Sequence, residues 1–116
     1  MQNAINKKEL KEQYKQIKHD MGVFMFKCLP SGKVYLGCGQ NIKAELNSLK
    51  LQLDIGQYYL NSNLQNEWKK YGENSFEISI VEILKHDKDE SKTDYKADLK
   101  ILREMCSKQF DNFEFI

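Results

Sequence analysis

A chain of 116 residues with 41% hydrophobic and 30% charged positions has material for one packed core and not for two. The formal charge of +1 excludes a surface that grips many phosphates through global charge, and leaves room only for a local basic patch. No run approaches the roughly 20 apolar residues of a membrane span, and the polar start MQNAINKKELKEQYK lacks the apolar core of a signal peptide, so a soluble cytoplasmic domain is expected.

In chain order, residues 6–19 place Leu10, Tyr14 and Ile17 at helical spacing among lysines and glutamates. This predicts an amphipathic N-terminal helix, within residues 1–20, docked on a domain of residues 21–116. Val23, Phe24, Met25, Phe26 and Cys28 suit a strand covered on both faces, and Val34-Tyr35-Leu36 a partner strand. Leu29-Pro30-Ser31-Gly32 between them is a turn, because proline presets φ and glycine accepts positive φ. A β-hairpin follows.

Asn41 can cap a helix over about 41–54, in which Ile42, Leu46, Leu49 and Leu53 make one stripe and Gly56 closes the end. Leu60, Leu64, Trp68 and Tyr71 line a second helix that stops at Gly72. Ser75–Leu84 alternates Phe76, Ile78 and Ile80 with polar residues and reads as a third strand. A charged turn over His86–Lys92 leads to a last helix capped by Asp94, with Tyr95, Leu99, Leu102, Cys106 and Phe110 on one face. Phe113 and Phe115 in the tail can fold back on the core. The expected class is α/β (α+β), a three-stranded antiparallel sheet flanked by helices.

Cys28, Cys38 and Cys106 lack CxxC spacing, and the hairpin separates the first two, so free thiols are expected. His19 and His86 are isolated and offer no zinc site.

Gly22-Val23-Phe24 and Tyr35-Leu36-Gly37 are separated by ten residues. Together with Gly32-Lys33-Val34 before the second triplet, and with Leu64-Gln65, Trp68 to Glu73, Phe76-Glu77 and Val81, this pattern over residues 21–110 resembles the GIY-YIG nuclease domain. The resemblance implies a divalent-metal-dependent phosphodiester hydrolase in which a tyrosine helps activate water, an arginine steadies the phosphate and a helix glutamate binds Mg²⁺ or Mn²⁺. The chemistry needs those types, because charge on the phosphorus must be offset and the cation held by an anion.

Carried over residue by residue, the second tyrosine is Tyr35 and the first triplet's tyrosine is Phe24, without its hydroxyl. The arginine position is Glu45, and the metal-binding position is Arg103, or Glu104 if the register moves by one. At about 100° per residue, Glu45 lies near 300° from Ile42 and Arg103 near 40° from Leu99, both beside buried stripes, whereas Glu104 points away near 140°. An exchange of signs, with Glu45 and Arg103 forming an ion pair, is the expectation.

The function expected is a pseudo-nuclease that keeps the scaffold, needs no cofactor, and retains nucleic-acid or protein binding. One alternative is an active DNA endonuclease using Tyr35 with a displaced acid such as Glu104 or Glu82 and Mg²⁺ or Mn²⁺. The other is a protein-interaction module. Lys27, Lys33, Lys43 and Lys69, with Lys50, Lys70 and the aromatics Tyr58, Tyr59, Trp68 and Tyr71, are the candidate nucleic-acid contacts, since lysines neutralise phosphates and aromatics stack on bases.

Overall fold

Proline and glycine at the hairpin turn do what their backbone preferences dictate. In a computed structural model, which describes residues 19–89 and 91–116, Gly32 takes φ 74° and its N–H donates to Cys28 O at 2.7 Å. Strand β1 (Met21–Cys28) thereby returns as β2 (Val34–Gly39), antiparallel, with Phe26 opposite Tyr35 and Phe24 opposite Gly37. The two triplets thus lie side by side at the centre of the hairpin. A Cβ on Gly37 would stand 2.6 Å from the Phe24 ring, and one on Gly22 would collide with the Glu82 carbonyl. Both triplet glycines are therefore close-approach residues.

Helix α1 (Ile42–Asp54) starts where expected, because the Asn41 side chain accepts from Ala44 N at 3.2 Å. Ile42, Leu49 and Leu53 are buried and Leu46 packs beside them. Helix α2 (Ser62–Tyr71) begins later than its apolar spacing suggests: Asn61 caps it through Leu64 N, so Leu60 falls outside the helix and is 88% exposed. Leu64 and Trp68 remain the buried stripe. Gly72, at φ 86°, ends α2, and a short 3₁₀ turn (Glu73–Ser75) leads into β3 (Phe76–Leu84), which pairs antiparallel with β1.

Helix α3 (Lys96–Ser107) has Tyr95 at its cap position, while the Asp94 carboxylate still accepts from Lys96 N at 3.0 Å. Tyr95, Leu99 and Cys106 are buried on its inner face. All three cysteines are free thiols. No described helix is long and apolar enough to cross a membrane. The helix expected over residues 6–19 lies outside the described residues apart from His19.

The tail corrects the expected sheet. Phe113–Phe115 form a fourth strand, β4, parallel to β2, and the order is β3-β1-β2-β4. A free β2 edge would leave its peptide groups unpaired. Val34 N instead donates to Asn112 O at 2.9 Å and Ile116 N to Leu36 O at 2.8 Å. The alternation of the tail was the missed signal: Phe113 packs with Leu36 and Cys106 on the α3 side, whereas Ile116 joins Phe24 and Tyr35 on the other.

The sheet consequently has two cores. Phe24, Phe26, Tyr35 and Trp68 gather under α1 and α2, and Val23, Val34, Leu36 and Cys106 under α3.

Candidate functional site

Tyr35 sits on the α1/α2 face because strand alternation puts it there with Phe24 and Phe26, while Val34 and Leu36 face α3. Its ring is fully buried and its hydroxyl donates to Glu67 Oε1 on α2. Burial, then the hydrogen bond and negative charge of Glu67, hold the phenol well above its usual range. Burial alone would raise Glu67 too, yet the polar hydrogens of Ser31, Tyr35 and Cys28 and the charge of Lys33 keep its carboxyl below the usual carboxylate range. The pair is thus a neutral phenol held by a carboxylate.

Beside it opens a cleft of about 300 Å³ lined by Lys33, Tyr35, Asn63, Asn66 and Glu67. Lys33 Nζ lies 5.7 Å from the Tyr35 ring centroid and is ion-paired with Glu114 of β4. Glu114 also accepts from Asn61 Nδ2 at 3.0 Å and Asn63 Nδ2 at 2.8 Å. Lys33 first, with the two amides adding to it, holds the Glu114 carboxyl below its usual range against the opposing effect of burial.

The other expected site residues divide between the two sides of the sheet. Phe24 is buried next to Gly37, and Ile116 closes over the same spot, its Cγ1 3.2 Å from where a Gly37 Cβ would be. Glu45 is exposed on α1, and its stem crosses Gly39 so closely that a Cβ there would meet Glu45 Cγ at 2.5 Å. Arg103 is half-buried on α3, with Nη1 donating to Ile116 O at 3.0 Å and its guanidinium carbon 4.4 Å from the Phe115 ring centroid.

The expected ion pair between Glu45 and Arg103 does not form. Among the described residues the salt bridges are Lys33–Glu114, Lys50–Glu73 and Lys92–Asp98. The physical reason is the fourth strand: the backbone carbonyl and ring it brings to α3 engage Arg103, whose Nε has no hydrogen-bond partner among the described residues. Glu45 and Arg103 still bear on one group, Cys38. Burial raises that thiol, Arg103 lowers it and Glu45 raises it.

The displaced acids belong to the α3 side of the sheet, opposite to the face that holds Tyr35. Glu82 pairs with Val23 and acts on Cys106 at the α3 face, and Glu104 is exposed on α3. Among the described residues no three His, Cys, Asp or Glu side chains converge on a common point. Among the described residues around the cleft, Glu67 already accepts from Tyr35 and Glu114 from Lys33 and two amides, and Arg103 is itself cationic.

Of the candidate lysines only Lys33 reaches the cleft. Lys27 lies on the Val23 side of β1 opposite Glu77, Lys43 lines a separate hollow with His19, Asp20 and Ile80, and Lys69 is exposed in the last turn of α2. Glu67 escaped the sequence reading, although the helix arithmetic that flagged Glu45 places it near 300° from Leu64, again at the border of a buried stripe. Asn61, Asn63 and Glu114 carry no such signal, since their meeting depends on β4.

Comparison with solved structures accounts for this architecture. The catalytic domain of homing endonuclease I-TevI superposes with a TM-score of 0.64 and 23% identity, over 83% of this chain and 97% of that one. This is the GIY-YIG endonuclease fold. An alanine-substituted catalytic domain of intron endonuclease I-TevI matches with a TM-score of 0.55 and 23% identity, over 78% of this chain and 79% of that one. No protein-family model and no curated protein matches the chain. The GIY-YIG scaffold is therefore recognised in the backbone and the triplets.

Proposed function

We propose that this GIY-YIG-fold domain has lost metal-dependent phosphodiester hydrolysis and retains a nucleic-acid-binding role. The observation that carries the reading is the Tyr35 hydroxyl, which donates to Glu67 in a buried setting that disfavours the phenolate. A tyrosine that helps activate water must accept or relay a proton near neutral pH, and this one is pinned as a phenol. Two substitutions point the same way: Phe24 has no hydroxyl, and in the register that sets Arg103 rather than Glu104 at the family's metal-ligand position, a cation stands there. Like charge at that position opposes a divalent ion.

Nucleic-acid binding rests on the likeness to endonuclease catalytic domains and on the cleft beside Lys33 and Tyr35. The test is incubation of supercoiled plasmid and single-stranded DNA with the protein in Mg²⁺ or Mn²⁺. No nicking above background is expected, and none that Tyr35→Phe removes. Metal-dependent cutting abolished by that substitution would establish an active endonuclease instead.

A second reading, a protein-interaction module, is favoured by one feature. Leu51 and Ile55 at the end of α1 and Tyr59 and Leu60 in the following loop are all more than half exposed. Binding that stays flat between low and high salt would favour it over phosphate contacts.

A further inference from the structure

The contacts of Glu114 describe an anion site that the chain fills with its own carboxylate. Lys33 Nζ, Asn61 Nδ2 and Asn63 Nδ2 converge on the two oxygens of Glu114, the amides at 3.0 and 2.8 Å. The three donors lie outside β4. Lys33 stands at the end of the hairpin turn, Asn61 is the N-cap of α2 and Asn63 lies in its first turn. Asn61 divides its amide between two tasks, Oδ1 accepting from Leu64 N and Nδ2 donating to Glu114. A cation and two amide donors spaced around one two-oxygen anion suit a phosphodiester as well as a carboxylate, since both present paired oxygens to charge-assisted hydrogen bonds.

The occupant is the exchangeable part. Glu114 belongs to a strand of three residues at the edge of the sheet, and the Lys33 and Glu114 side chains keep 24% and 29% exposure. The 300 Å³ cleft lined by Lys33, Tyr35, Asn63, Asn66 and Glu67 adjoins the same donors and leaves room for the sugar and base attached to a bound phosphate. The parallel register sets Glu114 directly across from Tyr35.

We infer that Lys33, Asn61 and Asn63 form a phosphate-type anion cradle, and that β4 competes for it in cis through Glu114, so that nucleic-acid backbone and tail exclude each other. The inference rests on the nucleic-acid-binding reading above, and does not depend on whether hydrolysis survives.

The full chain is titrated in EDTA, so that binding is read apart from cutting, with a labelled twelve-nucleotide single strand and, separately, with inorganic phosphate as competitor. Glu114→Ala is expected to raise affinity for the oligonucleotide about tenfold, the scale of one charge-assisted phosphate contact. Lys33→Gln in that background should reverse the gain. So should Asn63→Asp, which sits in the exposed first turn of α2, where an acidic residue favours the helix, and which therefore separates loss of the cradle from loss of folding. Competition by millimolar phosphate would identify the free ion as a sufficient ligand, and its failure, with the gain still dependent on Lys33, would assign the cradle to the polymer backbone. No gain in Glu114→Ala, or a gain that survives both second substitutions, would overturn the inference and leave Glu114 as a clasp for β4. Metal-dependent cutting by the wild-type chain would remove the reading of lost hydrolysis while leaving this result to stand by itself.

Discussion

The two faces of the sheet are built from the same three long strands and have opposite characters. Under α1 and α2 the core carries an aromatic cluster, with Phe26 at 6.0 Å and Phe76 at 5.0 Å from the Trp68 ring, and it includes the polar pair of Tyr35 with Glu67. Under α3 the buried residues are mostly aliphatic or sulfur-containing, with Tyr95, Phe110 and Phe113 packed among them, and the charged Arg103 stays at the rim against Phe115 and Ile116. Both triplets point their large rings into the first face. The difference teaches that a site tyrosine can be kept for packing: a buried ring that finds a carboxylate is stable without any reaction to perform.

The largest test of that contrast is truncation of each core. Phe26→Ala should cost about 3–5 kcal/mol in urea unfolding, because a full ring leaves a cavity beside Trp68. Cys106→Ala on the α3 face should cost about 1 kcal/mol, in keeping with the loss of a single sulfur. Equal losses would mean that the faces share the load and that the aromatic side is not the dominant core.

The polar pair gives the next effect. Tyr35→Phe should destabilise by about 1–3 kcal/mol, since the half-buried Glu67 loses its phenol donor. The pH dependence has a definite sign. A phenol whose folded pKa is raised contributes stability that is fully present below the ordinary tyrosine value of about 10 and is lost as pH rises beyond it. In an ultraviolet titration of the six tyrosines, Tyr35 and Tyr58, both raised by burial, should stay un-ionised while the fold persists, and Tyr35→Phe should leave one such residue. Six phenols ionising together near the ordinary value would remove the buried pair from the comparison.

The smallest effects belong to the two substituted charges. Arg103→Met should lose about 1 kcal/mol, from the bond to Ile116 and the contact with Phe115. Glu45→Ala, exposed and without an ionic partner among the described residues, should stay within about 0.5 kcal/mol. A double-mutant cycle between them should show no coupling. A coupling above about 0.5 kcal/mol would restore the ion pair and join the two faces electrostatically.

Local signals carried far in this chain. The Pro-Ser-Gly turn, the Asn41 cap, the stripe of Ile42, Leu49 and Leu53 and the alternation of Phe76–Leu84 each rest on a few neighbouring residues, and each formed near its expected bounds. The triplet spacing read the fold as well, because both triplets lie in one hairpin whose register is local.

What resisted the sequence is what distant segments decide together. Leu60 matched a helical period, yet capping by Asn61 left it outside the helix. The pairing of Glu45 with Arg103 follows from two helices taken separately, whereas a third segment, β4, supplies Arg103 with other partners. Tyr35, Glu67 and Glu114 lie 32 and 47 positions apart in order along the chain, and only sheet register and helix docking bring them around one cleft. By itself the sequence determined the hairpin, the three helices after it and β3, and with them the GIY-YIG scaffold, since periodicity, turns and caps act within a few residues. Tertiary structure alone decided that Tyr35 is held as a phenol and that the tail's carboxylate fills the anion cradle, because hydrogen bonds and desolvation depend on which groups the folded chain brings into contact.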